Sequence, residues 1–428
     1  MLVPGRDIAV TALEGGVRLV TAPLPRRASV AIAFMVGVGS RYEEANQTGI
    51  SHFVEHMVFK GGGRYPTARA VSEAIEGVGG MLNAATDREA TVFWTRVPSR
   101  HLRLAVQVLT DMLLRPVLDP DEVTKERQVV LEELRMYLDN PQEYVQIIFD
   151  DVMWPDHPLG RDVAGTEDTV RSFTAEDCRA HLARYLRPES LVITAAGDVQ
   201  PNEVRRVIAA ELADWTRAAH PDGRRPLPAT PPKGPTLRVA RKAAEQANIV
   251  VGARAPSYFD PERHVLDILN VVLGEGMSSR LFLELRERRG LVYDVHSFVT
   301  RFADSGALGI NLACEPSQAG AALEAAVTEL RRLAADPVDF EELAKAREYT
   351  KGRLTLQLEG TAALSEFAGQ QELLTGTILT PAQVVAKLET VTPEEVRDLA
   401  ARILGGGLRV AAVGPFRSEK RLAAALSA

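Results

Sequence analysis

Residues 174–198, "TAEDCRAHLARYLRPESLVITAAGD", and residues 392–415, "TPEEVRDLAARILGGGLRVAAVGP", follow one plan. Each opens on a threonine suited to cap a helix, with acidic residues in the first turn. An amphipathic helical stretch follows, then a short apolar strand that closes on glycine. Upstream of each lies an alternating strand-like run, "SVAIAFMVGVGS" (29–40) and "NIVVGARAPS" (248–257), leading into long helical patterns. The repeated order predicts an internal duplication and an α+β fold of two tandem homologous domains, each a sheet with helices.

The chain of 428 residues is too long for one simple core, which agrees with two domains. The stretch "HPDGRRPLPATPPKGPT" (220–236) holds six prolines and two glycines. Such a segment continues neither helix nor ladder and reads as an extended linker. The expected boundaries are therefore a first domain over 1–218, a Pro-rich linker over 219–236 and a second domain over 237–428.

Composition is that of a globular protein, 46% hydrophobic and 25% charged, with a formal net charge of −7. Basic residues are scattered, which argues against a nucleic-acid partner. The opening "MLVPGRDIAVTALEGG" has no apolar signal-like core, and no run approaches the length of a bilayer span. Cys178 and Cys314 are the only two cysteines, so no disulfide framework is expected and both are expected to be buried. These features together suggest a cytoplasmic, bacterial-like protein without a membrane partner.

Within the first domain, "SHFVEHMVFKGGG" (51–63) sets two histidines four apart. Residues 47–60 read as a helix stopped by the three glycines. At 100° per residue His52, Glu55, His56 and Phe59 share one stripe, while Ile50, Phe53, Val54, Met57 and Val58 cover the other side. Imidazoles at i and i+4 can meet one tetrahedral zinc, and a glutamate in the same turn can reach a water on that metal. The order is the HxxEH inversion of the HExxH motif.

Two histidines need a further ligand. The segment "DEVTKERQVVLEELRMYLDNP" (121–141) is a strong helical pattern with Glu122, Glu126, Glu132 and Glu133. Centring its inward face on Val130 brings in Val123, Leu134 and Tyr137. Glu126 and Glu133 then share one shoulder of that face, and Glu132 points to solvent. Two partly buried carboxylates side by side repel each other unless a cation or a proton compensates, an environment that a metal supplies. Glu133 is the expected ligand, and Glu126 a carboxylate that orients it or a histidine.

These stretches resemble the pitrilysin/insulinase family of inverted-motif zinc peptidases, in its short branch similar to mitochondrial processing peptidase. "GISHFVEHMVFKGGGRYPT" resembles the zinc helix and "ERQVVLEELRMYLDNP" the downstream glutamate helix, with Glu133 77 residues past His56. "GGMLNAATDREATVFW" (79–94), a hairpin by its own pattern, resembles the strand whose edge receives substrate, with Asn83 and Ala84 at the binding position. "GMSSRLFLELRERRGLVYDVHSF" (276–298) resembles the segment carrying an arginine and a tyrosine seven apart, here Arg286 and Tyr293.

The resemblance implies one half of a clamshell metalloendopeptidase. It would carry one zinc per chain, held by His52, His56 and Glu133, with Glu55 as general base. Arg286 and Tyr293 would support the peptide or the oxyanion. Substrates would be peptides or unfolded segments enclosed in a chamber. Because the family's chamber takes four such domains, a homodimer is expected, the alternative being a heterodimeric processing peptidase. A non-catalytic scaffold or inert subunit is the competing reading.

Overall fold

The computed structural model describes residues 7–215, 226–227 and 237–427. Among the described residues eleven strands form two sheets. In chain order they are β1 (Ala9–Ala12), β2 (Arg18–Pro23), β3 (Ser29–Val36), β4 (Met81–Thr86), β5 (Thr91–Pro98), β6 (Leu191–Gly197), β7 (Leu237–Arg241), β8 (Ala247–Ala255), β9 (Asp294–Arg301), β10 (Gly306–Cys314) and β11 (Arg409–Gly414).

The first sheet runs β1-β2-β6-β3-β5-β4 and the second β7-β11-β8-β10-β9. In each, one parallel pair (β2 with β6, β7 with β11) is followed by antiparallel neighbours. Setting β1 aside, the two orders are the same order of strands, as the duplication requires. The helix–strand plan also recurs. Thr174 caps the Ala175–Tyr185 helix before β6, and Thr392 caps the Pro393–Gly405 helix before β11. Each threonine hydroxyl accepts from a backbone amide at 3.2 Å, Asp177 in one case and Glu395 in the other. Each of those acidic side chains returns a bond to the threonine amide, closing a capping box.

Packing groups the chain into two compact units that are discontinuous in sequence. The first combines the chain up to Leu134, the segment from Asp162 through β6 and the Pro201–Leu212 helix, and Leu354–Ala382. The second combines Arg135–Arg161 with the later segments that hold β7–β11. The expected linker at 219–236 lies outside the described residues apart from Pro226 and Leu227.

In the first unit β3 is almost continuously apolar because both faces of the sheet are covered. Ala33 and Met35 pack with Val20, Val192 and Ala368, the last on the Thr361–Thr375 helix. Gly369 lets that helix approach closely, since a Cβ there would meet Met35 and Thr194. Ile32 and Phe34, on the alternate face, are fully buried, and the Leu102–Leu114 helix packs on β3 and β5. In the second unit Val250, Ala411 and Val413 pack on the Pro141–Met153 helix. Ile249, Val251 and Val410 face the Arg263–Gly274, Ala319–Ala335 and Pro393–Gly405 helices.

The motif helix is shorter than its pattern suggested. It spans Ile50–Val58, not 47–60, because Thr48 has a non-helical ψ of 124° and Gly49 sits at φ +96°, in the left-handed region. An alanine Cβ at Gly49 would stand 2.6 Å from the Ala164 carbonyl oxygen. Gly49→Ala is therefore expected to destabilise the protein by at least ~1 kcal/mol, read as a lower Tm or urea midpoint. Gly352, in the Phe340–Gln357 helix with nothing near its added Cβ, is the control. Its alanine variant should be neutral or stabilised by up to ~1 kcal/mol. Equal losses at both positions would refute the strain argument.

Candidate metal centre

The Ile50–Val58 helix has no capping side chain of its own, and Glu43 serves instead. This buried carboxylate accepts from the Gly49 amide at 2.7 Å and the Ser51 amide at 2.8 Å. It satisfies helix-terminal donors where the helix dipole favours negative charge. Beyond the helix, fully buried Asp111 accepts from the Arg64 and Tyr65 amides and from Arg115 Nε, fixing the turn after the glycines. Ile50, Phe53, Val54, Met57 and Val58 are buried as expected, so the helix rests on its apolar side.

On the remaining stripe His52 Nε2 and His56 Nε2 lie 3.2 Å apart. Glu133 Oε2 is 3.5 Å from His56 Nε2 and 3.8 Å from His52 Nε2. Three donors held at 2.0–2.1 Å on a tetrahedral zinc stand about 3.3–3.4 Å apart, so the spacing and the donor set fit that ion. The glutamate helix spans Pro120–Asp139, and Asn140 caps the next helix. On it Val123, Val130 and Leu134 are buried, Glu126 is buried, Glu133 is half-buried and Glu132 is exposed.

Glu126 Oε1 lies 2.9 Å from His56 Nδ1, so the carboxylate holds the imidazole by the nitrogen that does not face His52. Its other oxygen pairs with Lys60. Burial opposes the Glu126 charge, yet the hydrogen bonds from His56 and Lys60 prevail and its pKa is lowered. Burial likewise opposes the His56 charge, and the bond to Glu126 with the charge of Glu133 outweighs it, raising that pKa. His52 is driven down to about 4 by burial and by His56, which keeps it in the neutral form a metal requires. Its Nδ1 is buried without a hydrogen bond among the described residues.

Glu55 is buried at 9% exposure, and its carboxylate accepts from Thr86 Oγ1 at 2.5 Å. Burial raises its pKa against the opposing effects of Thr86 and His56. Asp162, also raised by burial, interacts electrostatically with Arg88 and Glu133.

Asn83 and Ala84 lie on β4, at the edge of the first sheet, opposite Trp94 and Phe93 of β5. Among the described residues no strand pairs with the other side of β4, and the Ile50–Val58 helix packs against the strand. In the second unit Arg286 and Tyr293 come together. The guanidinium lies 5.0 Å from the Phe282 ring centroid and 5.7 Å from that of Tyr293, which is 71% exposed. Arg286 stands on a wide helical turn, Phe282–Arg288, where the Arg289 amide reaches back five residues to the Glu284 carbonyl. Cys178 and Cys314 are buried free thiols, pushed up by burial to about 12 and about 11.

The sequence pattern had not singled out Thr86, Lys60, Glu43 or Asp162. Lys60 follows His56 by four residues, and Thr86 follows Ala84 by two on the same strand face, so helical and strand periods could have found both. Glu43 and Asp162 reach their places through loops, for which no period exists.

The sequence profile described as "Insulinase (Peptidase family M16)" matches residues 18–167, and that described as "Peptidase M16 inactive domain" matches 172–349. An uncharacterized zinc protease of Streptomyces coelicolor is 36% identical over 421 residues, covering 96% of this chain and 90% of the relative. An uncharacterized zinc protease of Bacillus subtilis is 33% identical, covering 94% and 97%. The chain belongs to the M16, or insulinase, peptidase family.

A crystal structure of a Helicobacter pylori protease superposes with a TM-score of 0.88 at 21% identity, covering 97% of this chain and 100% of that one. A chain of complex III2 from Candida albicans gives a TM-score of 0.84 at 17% identity, covering 98% and 100%. These likenesses establish the shared two-domain fold. Among the described residues no helix is long and apolar enough to cross a membrane.

Proposed function

We propose that this protein is a zinc metalloendopeptidase acting on peptides or unfolded segments, with one zinc per chain. The observation that carries the reading is the convergence of His52 Nε2, His56 Nε2 and Glu133 Oε2, with Glu55 on the same helix. These three residues would hold the ion. Zinc, when bound, supplies a Lewis acid that polarises a carbonyl and makes water acidic near neutrality.

The chain's own groups do the rest. Glu126 orients His56 through Nδ1. Glu55 takes the proton of the attacking water and passes it to the leaving amine, and its raised pKa moves it toward the range a neutral-pH base needs. β4 accepts the peptide as an added strand along Asn83 and Ala84, using backbone groups its edge leaves open. Arg286 and Tyr293 donate to the peptide carbonyl or its oxyanion. Elemental analysis for zinc with cleavage of a quenched peptide by the purified chain tests the reading. A chain without zinc would refute it.

A non-catalytic role is the second reading, favoured by the "inactive domain" match over 172–349. Zinc binding without cleavage by the single chain would favour the subunit of a hetero-oligomer, as would a required partner. We further propose a cytoplasmic homodimer, the location resting on two buried, unpaired cysteines. In the dimer, Arg286 and Tyr293 of one copy would serve the metal site of the other, giving two equivalent sites.

Glu55→Gln and Arg286→Ala should then be nearly inactive alone and regain activity when subunits exchange. Random mixing makes half the dimers mixed, each with one working site of two, so roughly a quarter of the wild-type rate is expected. No recovery despite demonstrated exchange would overturn action across the dimer.

A further inference from the structure

We infer that Thr86 is a positioning residue for Glu55, fixing the base carboxylate to the end of the edge strand through its hydroxyl. The inference rests on the peptidase reading and adds a residue to it. Thr86 Oγ1 donates to Glu55 Oε2 at 2.5 Å, within the short range of hydrogen bonds to a charged acceptor. A glutamate has three rotatable bonds, so burial alone leaves the aim of its carboxylate open. A donor from a second, rigid element selects one arrangement.

Both partners are held firmly. Thr86 closes β4 opposite Thr91, and the Asp87 amide bonds the Ala90 carbonyl at 2.8 Å to shut the hairpin turn. That turn is pinned from residues 40–41. The Ser40 amide donates to the Asp87 carbonyl, the Arg41 amide to the Arg88 carbonyl, and fully buried Arg41 pairs with Glu89 at 2.6 Å. Two residues further along the same segment, Glu43 binds the start of the helix that carries Glu55. One short stretch therefore fixes both the donor's strand and the acceptor's helix. Threonine suits the task because its branched Cβ restricts χ1 and so aims the hydroxyl.

The consequence is a link between substrate strand and base. A peptide pairing with β4 would lie along the strand whose last residue holds the carboxylate. Thr86→Val keeps the shape and removes the hydroxyl, leaving only the Thr86 backbone toward Glu55, and Thr86→Ser keeps the hydroxyl. In crystal structures of the variants, the Glu55 carboxylate should leave its place in Thr86→Val and keep it in Thr86→Ser. On a quenched peptide, Thr86→Val should lower kcat about 10–100-fold with KM within about twofold, as misaimed groups do. Thr86→Ser should stay within about threefold of wild type, and zinc content should be unchanged in both.

Three outcomes would overturn the inference: an unmoved Glu55 in Thr86→Val, a serine variant as impaired as the valine one, or loss of zinc. A wild-type chain that cleaves no peptide would count against the peptidase reading instead, and the position of Glu55 in the crystals would still decide the role of Thr86.

Discussion

Glu55→Gln is expected to remove peptide hydrolysis while leaving zinc content and melting temperature near wild type. Glutamine keeps the size of the side chain and can still accept from the Thr86 hydroxyl, so the buried site stays filled and partnered. What it lacks is the ability to take a proton. Losing a general base costs at least ~10²-fold in turnover. Glu55 is also absent from the set of donors that converge within 4.8 Å, which comprises His52, His56 and Glu133. Elemental analysis and a peptide assay on one preparation decide the matter. Zinc lost together with activity would make Glu55 a ligand, and a loss of only a few fold would leave another group as base.

That His52, His56 and Glu133 come together was legible because two helical periods each carry their own geometry. His52, Glu55 and His56 need only the repeat of their helix to share a stripe. Choosing Glu133 over Glu132 needs only the apolar positions Val123, Val130 and Leu134 beside them. The strand plan was legible for a similar reason: matched helix–strand stretches at 174–198 and 392–415 imply matched sheets. The cover of those sheets was not. The Thr361–Thr375 helix packs on β3 and β6, far from it in sequence, and the Pro141–Met153 helix packs on β8 and β11. An apolar helix face states that it will be buried and not against what.

The start of the motif helix was misplaced for the same kind of reason. Its boundary is set by Gly49 in the left-handed region and by a carboxylate six residues earlier, neither of which has a periodic signature. The edge position of β4 likewise follows from the full strand order, whereas its hairpin with β5 follows from local pattern alone.

Among the glutamates of the Pro120–Asp139 helix, three substitutions should separate cleanly by zinc affinity. Glu133→Gln should lose the most, because its carboxylate oxygen completes the triangle with the two Nε2 atoms at 3.5 and 3.8 Å. An amide oxygen there is a neutral and weaker donor to a divalent cation. Glu126→Gln should weaken binding about 10–100-fold, the range for partners that orient a ligand. Its effect passes through His56 Nδ1, and it also strips Lys60 of its charged partner, leaving a cation near the metal uncompensated. Glu132→Gln should bind zinc as wild type does, since that side chain is exposed on the far side of the helix. Competition against a chelator of known affinity measures all three on one scale. Equal affinities for the Glu133 and Glu132 variants would remove Glu133 from the site. A Glu126 variant weaker than the Glu133 variant would make Glu126 the ligand and Glu133 its support.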